Sequence, residues 1–503
     1  MSLTTFSFFA FLFVSLILFY LIRPAQKYIL LAASIYFYIS ISPGSKIRLS
    51  VLIAIIGLWT YLMALVLSRT KGKLRGLTAF LSIAGLIALM IVFKLAFNIA
   101  VAAASLFNIT SDFSWLQFGA VVGMSYYVLT AVGYLTDVYW GNTEADKNII
   151  NVFLFIFFFP QLISGPITRY DAMRPQFCLA RSFDTDRLML GMRRMAWGYF
   201  KKLVISERFA VIVSGVFGYY TEYSLVGIIG ASLCYAVRLY TDFSGCMDIV
   251  LGAAYIFGIE LPENFKAPFF SESTQEFWQR WHITLGTWFK DYVMYPLQKS
   301  KAMQSIGKWS KKTFGKKHGK KVPMYLSMAV LWMLIGIWHG GTAYYFIASG
   351  VLPGLLLIAG DVLSPVFKAV DQNLHINTEC VSWKWFRRIR TVFLISMCWM
   401  AVCTYGIKNY IEVIRFSLTH LWNCASVDSF IGLMGFTYTD VIIMCLGVLL
   451  LIIADHYTYK GESIFKVMDR QNYLIRVLAV YAEVIIIFVY GMVGSSAFIY
   501  FQF

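Results

Sequence analysis

Two of the chain's six histidines stand in aromatic, apolar surroundings. His282 closes Glu276-Phe-Trp-Gln-Arg-Trp-His282, and His339 closes Gly336-Ile-Trp-His339 ahead of Gly340 and Gly341. Imidazole is the side chain whose ordinary pKa suits proton transfer near neutral pH. An ionisable group in apolar context is costly and marks a functional site by default. Two such groups point to acid–base chemistry carried out within a membrane.

The elements that must carry them are legible as patterns. From Ser273 to Tyr292 the sequence reads as one amphipathic helix. At about 100° per residue, Phe277, Trp278, Trp281, Leu285, Trp288, Phe289 and Tyr292 share an arc, with Glu276, Gln279, Arg280, Thr287, Lys290 and Asp291 opposite. Such a helix lies at an interface rather than spanning it. His282 falls at the edge of the aromatic arc, as a functional group or as an interface anchor. Met324 to Trp338 is a continuous apolar run that places His339 roughly 23 Å along a helix at 1.5 Å per residue. The glycines that follow stop the helix and let a ligand approach the backbone. A histidine there is also a favourable partner for the negative end of the helix dipole.

Two more polar constellations interrupt apolar sequence. Phe159-Pro-Gln161-Leu-Ile-Ser164-Gly-Pro-Ile-Thr-Arg169 holds two helix-breaking prolines, so Gln161, Ser164 and Arg169 are candidates to line a cavity. Tyr240-Thr-Asp242-Phe-Ser244-Gly-Cys-Met-Asp248 holds two acids that need pairing or water, with Arg238 one helical turn before Asp242. Trp281 and Trp338, beside the histidines, complete the candidate site. No group has metal-ligand spacing, and the eight cysteines form no CxxC pair.

The composition sets the class. Of 503 residues, 59% are hydrophobic and only 14% charged, against roughly 25% charged in soluble domains. Repeated apolar runs predict an all-α polytopic membrane protein with about eleven to thirteen crossings, as one integral domain over 1–503. Phe6 to Ile22 lacks a basic leader and reads as a first span rather than a cleaved signal. The runs 224–240 and 244–258 read as separate, 361–390 as a polar connection, and Lys299–Lys321, with nine lysines and no acid, as a loop. The net charge of +17 is explained by the positive-inside rule rather than by nucleic acid. That rule puts the lysine run 299–321 and Arg69–Arg75 in the cytoplasm and the N-terminus outside. The lysine run also suits anionic lipid or an acidic carrier protein. No Walker motif or dinucleotide fingerprint is present.

Five segments, in this order, resemble the membrane-bound O-acyltransferase (MBOAT) family: Gly123-Met-Ser-Tyr-Tyr127 with Tyr134-Leu-Thr-Asp137-Val-Tyr139; Phe159 to Pro166; Asp242-Phe-Ser-Gly245 with Asp248; Asn264-Phe-Lys-Ala-Pro268 running into Phe277 to His282; and Trp338-His339-Gly340. The similarity is strongest over about 115–345 and nearest the bacterial alginate O-acetylation type, whose ending Phe498-Ile-Tyr-Phe-Gln-Phe503 resembles. It departs after Leu297, where Gln298-Lys-Ser-Lys301 leads into the lysine run, and at Cys246. The resemblance implies helices around a central tunnel, with His339 as the essential base and His282 as a second polar position. It implies a thioester donor (acetyl-CoA or an acyl carrier protein) as substrate, with no bound cofactor. The acceptor it implies is a cell-surface or exported polysaccharide, and the partners it implies are the bilayer of a bacterial inner membrane and a separate extracytoplasmic acyltransferase. D-alanyl transfer to teichoic acid is the alternative within the class. A transporter of polysaccharide or lipid, or a silent scaffold, is the alternative outside it; internal inverted repeats would mark the transporter, and none is evident.

Overall fold

A chain this poor in charge satisfies its backbone polar groups within helices wherever water is absent. The computed structural model describes residues 1–41, 46–106, 109, 122–340, 342–421, 434–493 and 498. Among these residues every regular element is a helix, and the one extended pairing is the isolated bridge between Phe265 and Trp281. Gly341, Cys424, the start of the 116–138 run and residues 499–503 lie outside the described residues.

The chain divides into two compact units: Met1–Tyr199 with Cys246–Pro262 and Ser496–Phe503, and Phe200–Gly245 with Glu263–Ser495. Aromatic packing organises the first. Phe11 meets Phe37 at 5.5 Å and Phe159 at 5.2 Å between ring centroids, and Phe159 meets Phe257 edge-on at 5.9 Å. The second holds both histidines and is described with the site below.

Seven helices among the described residues are long and apolar enough to cross a bilayer, or eight if the pair Phe6–Leu21 and Arg23–Ile41, bent by 114°, counts as one span. The eleven to thirteen crossings expected from hydropathy include runs that fold otherwise. Runs 224–240 and 244–258 form one helix, Leu225–Tyr255. Run 149–165 breaks at Phe158, ahead of Pro160, into Ile149–Phe157 and Phe159–Leu162. Two polar stretches are also helical. Helices Leu352–Asn373 and Val381–Cys403 leave only a short turn of the supposed 361–390 connection. The lysine run folds as Lys301–Gly319, with the Ser300 hydroxyl accepting from Met303 N–H at 3.3 Å. Lysine is a good helix former once its charge stays in water, and hydropathy alone does not register that.

The polar connection 141–148 contains a heavily bonded carboxylate, Asp146. Asp146 accepts from the Tyr170 hydroxyl at 2.5 Å, Asn151 Nδ2 at 3.0 Å and Asn148 N–H at 2.7 Å, and pairs with Arg174 at 2.9 Å. Burial opposes its charge, but these donors outweigh burial and hold the carboxyl below its ordinary range. A depressed carboxylate stabilises the fold above its unfolded pKa, and that contribution is lost as pH falls through the folded value. Asp146→Asn is therefore expected to lower the melting temperature at pH 7, with the gap to wild type closing as the solution is acidified. Thermal unfolding across a pH series measures this; a gap independent of pH would refute it.

Candidate functional site

The amphipathic stretch does not form the single helix its periodicity predicts. It runs as Thr274–Arg280, breaks at Trp281 and His282, and resumes as Ile283–Phe289. The break is imposed from outside the stretch. Lys266 N–H donates to Arg280 O and Ile283 N–H to Asn264 O, both at 3.0 Å, so residues 264–266 lie alongside 280–283 as a short antiparallel pair. His282 takes a left-handed conformation, φ 46° and ψ 52°. For a side chain other than glycine this is a strained backbone state, which persists only when its surroundings enforce it.

Asn264 supplies the enforcement. Its Oδ1 accepts from Thr284 N–H at 3.0 Å and from the Thr284 hydroxyl at 2.9 Å, and lies 3.3 Å from His282 Nδ1. It therefore caps the second helix from a distance, satisfying a donor that the break leaves without an intrahelical partner. The Thr284 main-chain donor fixes which end of the amide points this way. An amide oxygen only accepts, so Nδ1 of His282 carries the proton and Nε2 carries the lone pair. The imidazole is 3% exposed. Burial, and secondly the neighbouring His339, push its pKa well below the ordinary histidine range.

His339 ends the helix Val322–His339, as expected, and is 8% exposed. Trp338 contacts both histidines, its ring centroid 4.9 Å from His339 and 6.1 Å from His282. The same helix packs Trp332 on Trp278 at 4.7 Å. Glycine at 336 and 350 makes the next crossing possible: a Cβ on Gly336 would lie 2.9 Å from Phe346 O and 3.0 Å from Gly350 Cα. Trp281 is buried against Phe277 at 5.6 Å and Trp399 at 4.8 Å. It walls the site rather than presenting a polar group to it.

The remaining candidates have structural bonds. Gln161 Nε2 donates to Phe155 O at 2.5 Å and its Oε1 accepts from Thr168 at 3.1 Å, while the Ser164 hydroxyl lies 3.3 Å from Cys246 Sγ. With Arg169 they belong to the first unit. Asp242 and Ser244 belong to the second. Asp242 is bonded by Lys202, from 40 residues upstream at 2.6 Å, where helical spacing had offered Arg238. Lys202 also bonds Glu207 at 2.5 Å, and Lys201 donates to Ser244 at 2.9 Å. Between Asp242 and Ser244, Phe243 meets the His282 ring edge-on at 4.8 Å. The lysines come from the wide π-helical turns Phe200–Ser206. Asn264 and the two lysines are the site-building residues that spacing missed. The adjacent lysines beginning an apolar run were their available signal. Asn264 stood in a recognised motif without a role. Among the described residues, no group of histidine, cysteine and carboxylate side chains is placed to hold a metal ion.

Fold and site together define a multi-pass, all-helical membrane protein with a buried histidine pair. Residues 143–307 match the model of the membrane-bound O-acyltransferase family, MBOAT. The match includes His282, and His339 lies beyond it, so the motif resemblance is borne out over that stretch. The chain is 30% identical over 334 residues to "Probable alginate O-acetylase AlgI" of Pseudomonas syringae pv. tomato, covering 63% of this chain and 58% of the relative. It is 26% identical to the "Peptidoglycan O-acetyltransferase" of Helicobacter pylori, over 61% of this chain and 58% of that protein. To the "Teichoic acid D-alanyltransferase" of Bacillus subtilis it is 29% identical, over 45% of this chain and 55% of that protein. The chain thus spans little more than half the length of these relatives.

Proposed function

We propose that this protein is an O-acyltransferase that moves an acyl group, in the first instance acetyl, from a cytoplasmic thioester to hydroxyls of a cell-envelope polysaccharide. The observation that carries the proposal is the buried histidine pair around Trp338, on a chain similar to O-acetyltransferases and a D-alanyltransferase. The reaction exchanges a C–S bond for a C–O bond. Its barrier is the poor nucleophilicity of the hydroxyl until its proton is taken. His339 takes that proton as oxygen attacks the thioester carbonyl, and returns it to the departing thiolate. The site holds donor carbonyl and acceptor hydroxyl in line. Neutral His282, with Nδ1–H held by Asn264, accepts a hydrogen bond through Nε2 from a neighbouring hydroxyl of the acceptor and so orients the acceptor, leaving the reacting hydroxyl's proton to His339. A tunnel open to both faces brings the substrates together. The protein resides in a bacterial inner membrane with the lysine helix in the cytoplasm, and a separate extracytoplasmic transferase receives or completes the transfer. Transfer of D-alanine from a carrier is the second reading, favoured by the similarity to the D-alanyltransferase.

The direct test is transfer by the reconstituted protein, alone and in membranes that retain its extracytoplasmic partner, from labelled acetyl-CoA, acetylated carrier or D-alanylated carrier to polysaccharide acceptors. Label appearing in acceptor only with the D-alanyl donor would select the second reading, and absence of transfer from all three would refute both.

The role given to Asn264 makes its own prediction. A carboxylate at 264 favours the charged imidazole, raising the His282 pKa. Activity that needs neutral His282 is lost as pH falls through that pKa. Asn264→Asp is therefore expected to move the acid limb of the kcat/KM profile to higher pH, with at least tenfold loss at pH 6. Asn264→Ala is expected to lower the rate without that displacement. An Asn264→Asp profile parallel to wild type would contradict the assignment.

A further inference from the structure

A second concentration of chemistry in the same unit is not used by the histidine mechanism. Arg387, Arg388 and Arg390, near the start of Val381–Cys403, converge on the loop before Thr274–Arg280. Arg387 bonds one oxygen of Glu272, Arg388 lies 3.6 Å from the other, and Arg390 donates to Glu272 O at 3.0 Å. The Arg388 guanidinium is stacked among three rings, 5.0 Å from Tyr459, 5.1 Å from Trp385 and 5.4 Å from Phe270. Arg280 covers Tyr459 as well, at 4.8 Å, but it is matched by Glu276 at 2.9 Å, as Lys384 is by Glu379 at 2.8 Å. Glu272 faces both Arg387 and Arg388, while Glu379 acts on Arg387 and Asp371 on Arg390 at longer range. The Nε atoms of Arg387 and Arg388 are buried with no hydrogen-bond partner among the described residues. The Arg388 side chain is only 13% exposed. Clustered, partly dehydrated guanidinium groups with unmet donors are costly, and planar forks of this kind match the oxygens of phosphate.

Position narrows the ligand. Lys321 bonds Asp361 at 2.6 Å, tying the lysine-bearing end of Val322–His339 to Leu352–Asn373. The latter helix continues past Asp361 by about 18 Å and, after the turn, the chain returns about 10 Å to reach Arg388 at 1.5 Å per residue. The arginines therefore lie on the lysine-bearing side, the cytoplasmic side by the positive-inside rule. Thr274–Arg280, about 10 Å of helix, joins this cluster to His282. We infer that Arg387, Arg388 and Arg390 bind the phosphate at the foot of the donor's pantetheine arm, leaving the thioester end to reach the histidines. This rests on the acyltransferase reading above. Acetyl-CoA and an acylated carrier both present that phosphate.

The experiment compares kcat/KM for S-acetyl-4′-phosphopantetheine and S-acetylpantetheine, which differ only in the phosphate, in wild type, Arg388→Gln and Arg388→Lys. Acetyl-CoA and acetylated carrier are run beside them to tell which source the protein uses. The expected result is a wild-type preference for the phosphorylated donor that falls at least tenfold in Arg388→Gln. Arg388→Lys, which keeps the charge but not the fork, is expected to show a partial fall. An equal loss on both donors, or an unchanged preference, overturns the inference while leaving the acyltransferase reading intact. A preference seen only in phosphatidylglycerol vesicles and absent from phosphatidylcholine overturns it in favour of a lipid headgroup site. A wild type that uses no thioester donor removes the reading itself.

Discussion

His339→Ala is expected to lower acyl transfer by about 10²- to 10⁴-fold, the usual contribution of a general base. It should do so while the protein folds as well as wild type. The ring sits at the C-terminal end of its helix beside Trp338 and is 8% exposed, so trimming it to a methyl leaves the helix backbone in place. The loss should appear in kcat as well as kcat/KM, because a base acts on the transition state and not on substrate binding. Single-turnover transfer from labelled donor, with thermal unfolding of the same preparation, measures both sides of this expectation. A folded alanine variant that turns over at the wild-type rate would rule out His339 as the base.

The second large effect concerns stability. Lys202 Nζ is shared by Asp242 at 2.6 Å and Glu207 at 2.5 Å, with all three side chains at most 2% exposed. Removing one member of a buried ion pair costs about 3–5 kcal/mol, because the partner's charge is left in a medium that cannot solvate it. Lys202→Met leaves two carboxylates facing one another. It is expected to destabilise the protein by at least that range, and to lower the yield of folded protein from detergent. Adding Asp242→Asn to Lys202→Met should restore part of the loss by removing one of those charges. The energetic coupling between the two substitutions is the diagnostic quantity. If Lys202→Met unfolds within about 0.5 kcal/mol of wild type, the spread of an ordinary surface change, the triad does not carry this load. Because Phe243, the residue after Asp242, contacts the His282 ring, the same variant should also slow transfer in whatever fraction remains folded.

Much of this was legible in the chain. Helical class and membrane character followed from hydropathy, since a lipid-soluble chain must close its hydrogen bonds within helices. The end of the Met324–Trp338 run at His339 followed from the glycines after it. The buried arc of Phe277, Trp281, Leu285, Trp288 and Phe289 also survived, although the helix did not. What failed was continuity. Periodicity is a local signal and averages over a single-residue break, so a strained left-handed residue at 282 leaves no trace in it. Hydropathy likewise divided Leu225–Tyr255 at Asp242 and Ser244. The helix passes through because Lys202 and Lys201 satisfy those side chains from another segment.

By itself the sequence determined an apolar helical protein, an order of motifs and two histidines as the groups able to move a proton. Only the tertiary structure decided that both histidines contact one tryptophan, that Asn264 sets which nitrogen of His282 carries hydrogen, and that Lys202 neutralises Asp242 while Lys201 bonds Ser244 on the other side of Phe243. The reason is the range of the forces involved. Hydropathy and helical period are summed over neighbouring residues, whereas a hydrogen bond or buried ion pair depends on a few ångströms between groups tens of residues apart, and no spacing rule encodes that distance.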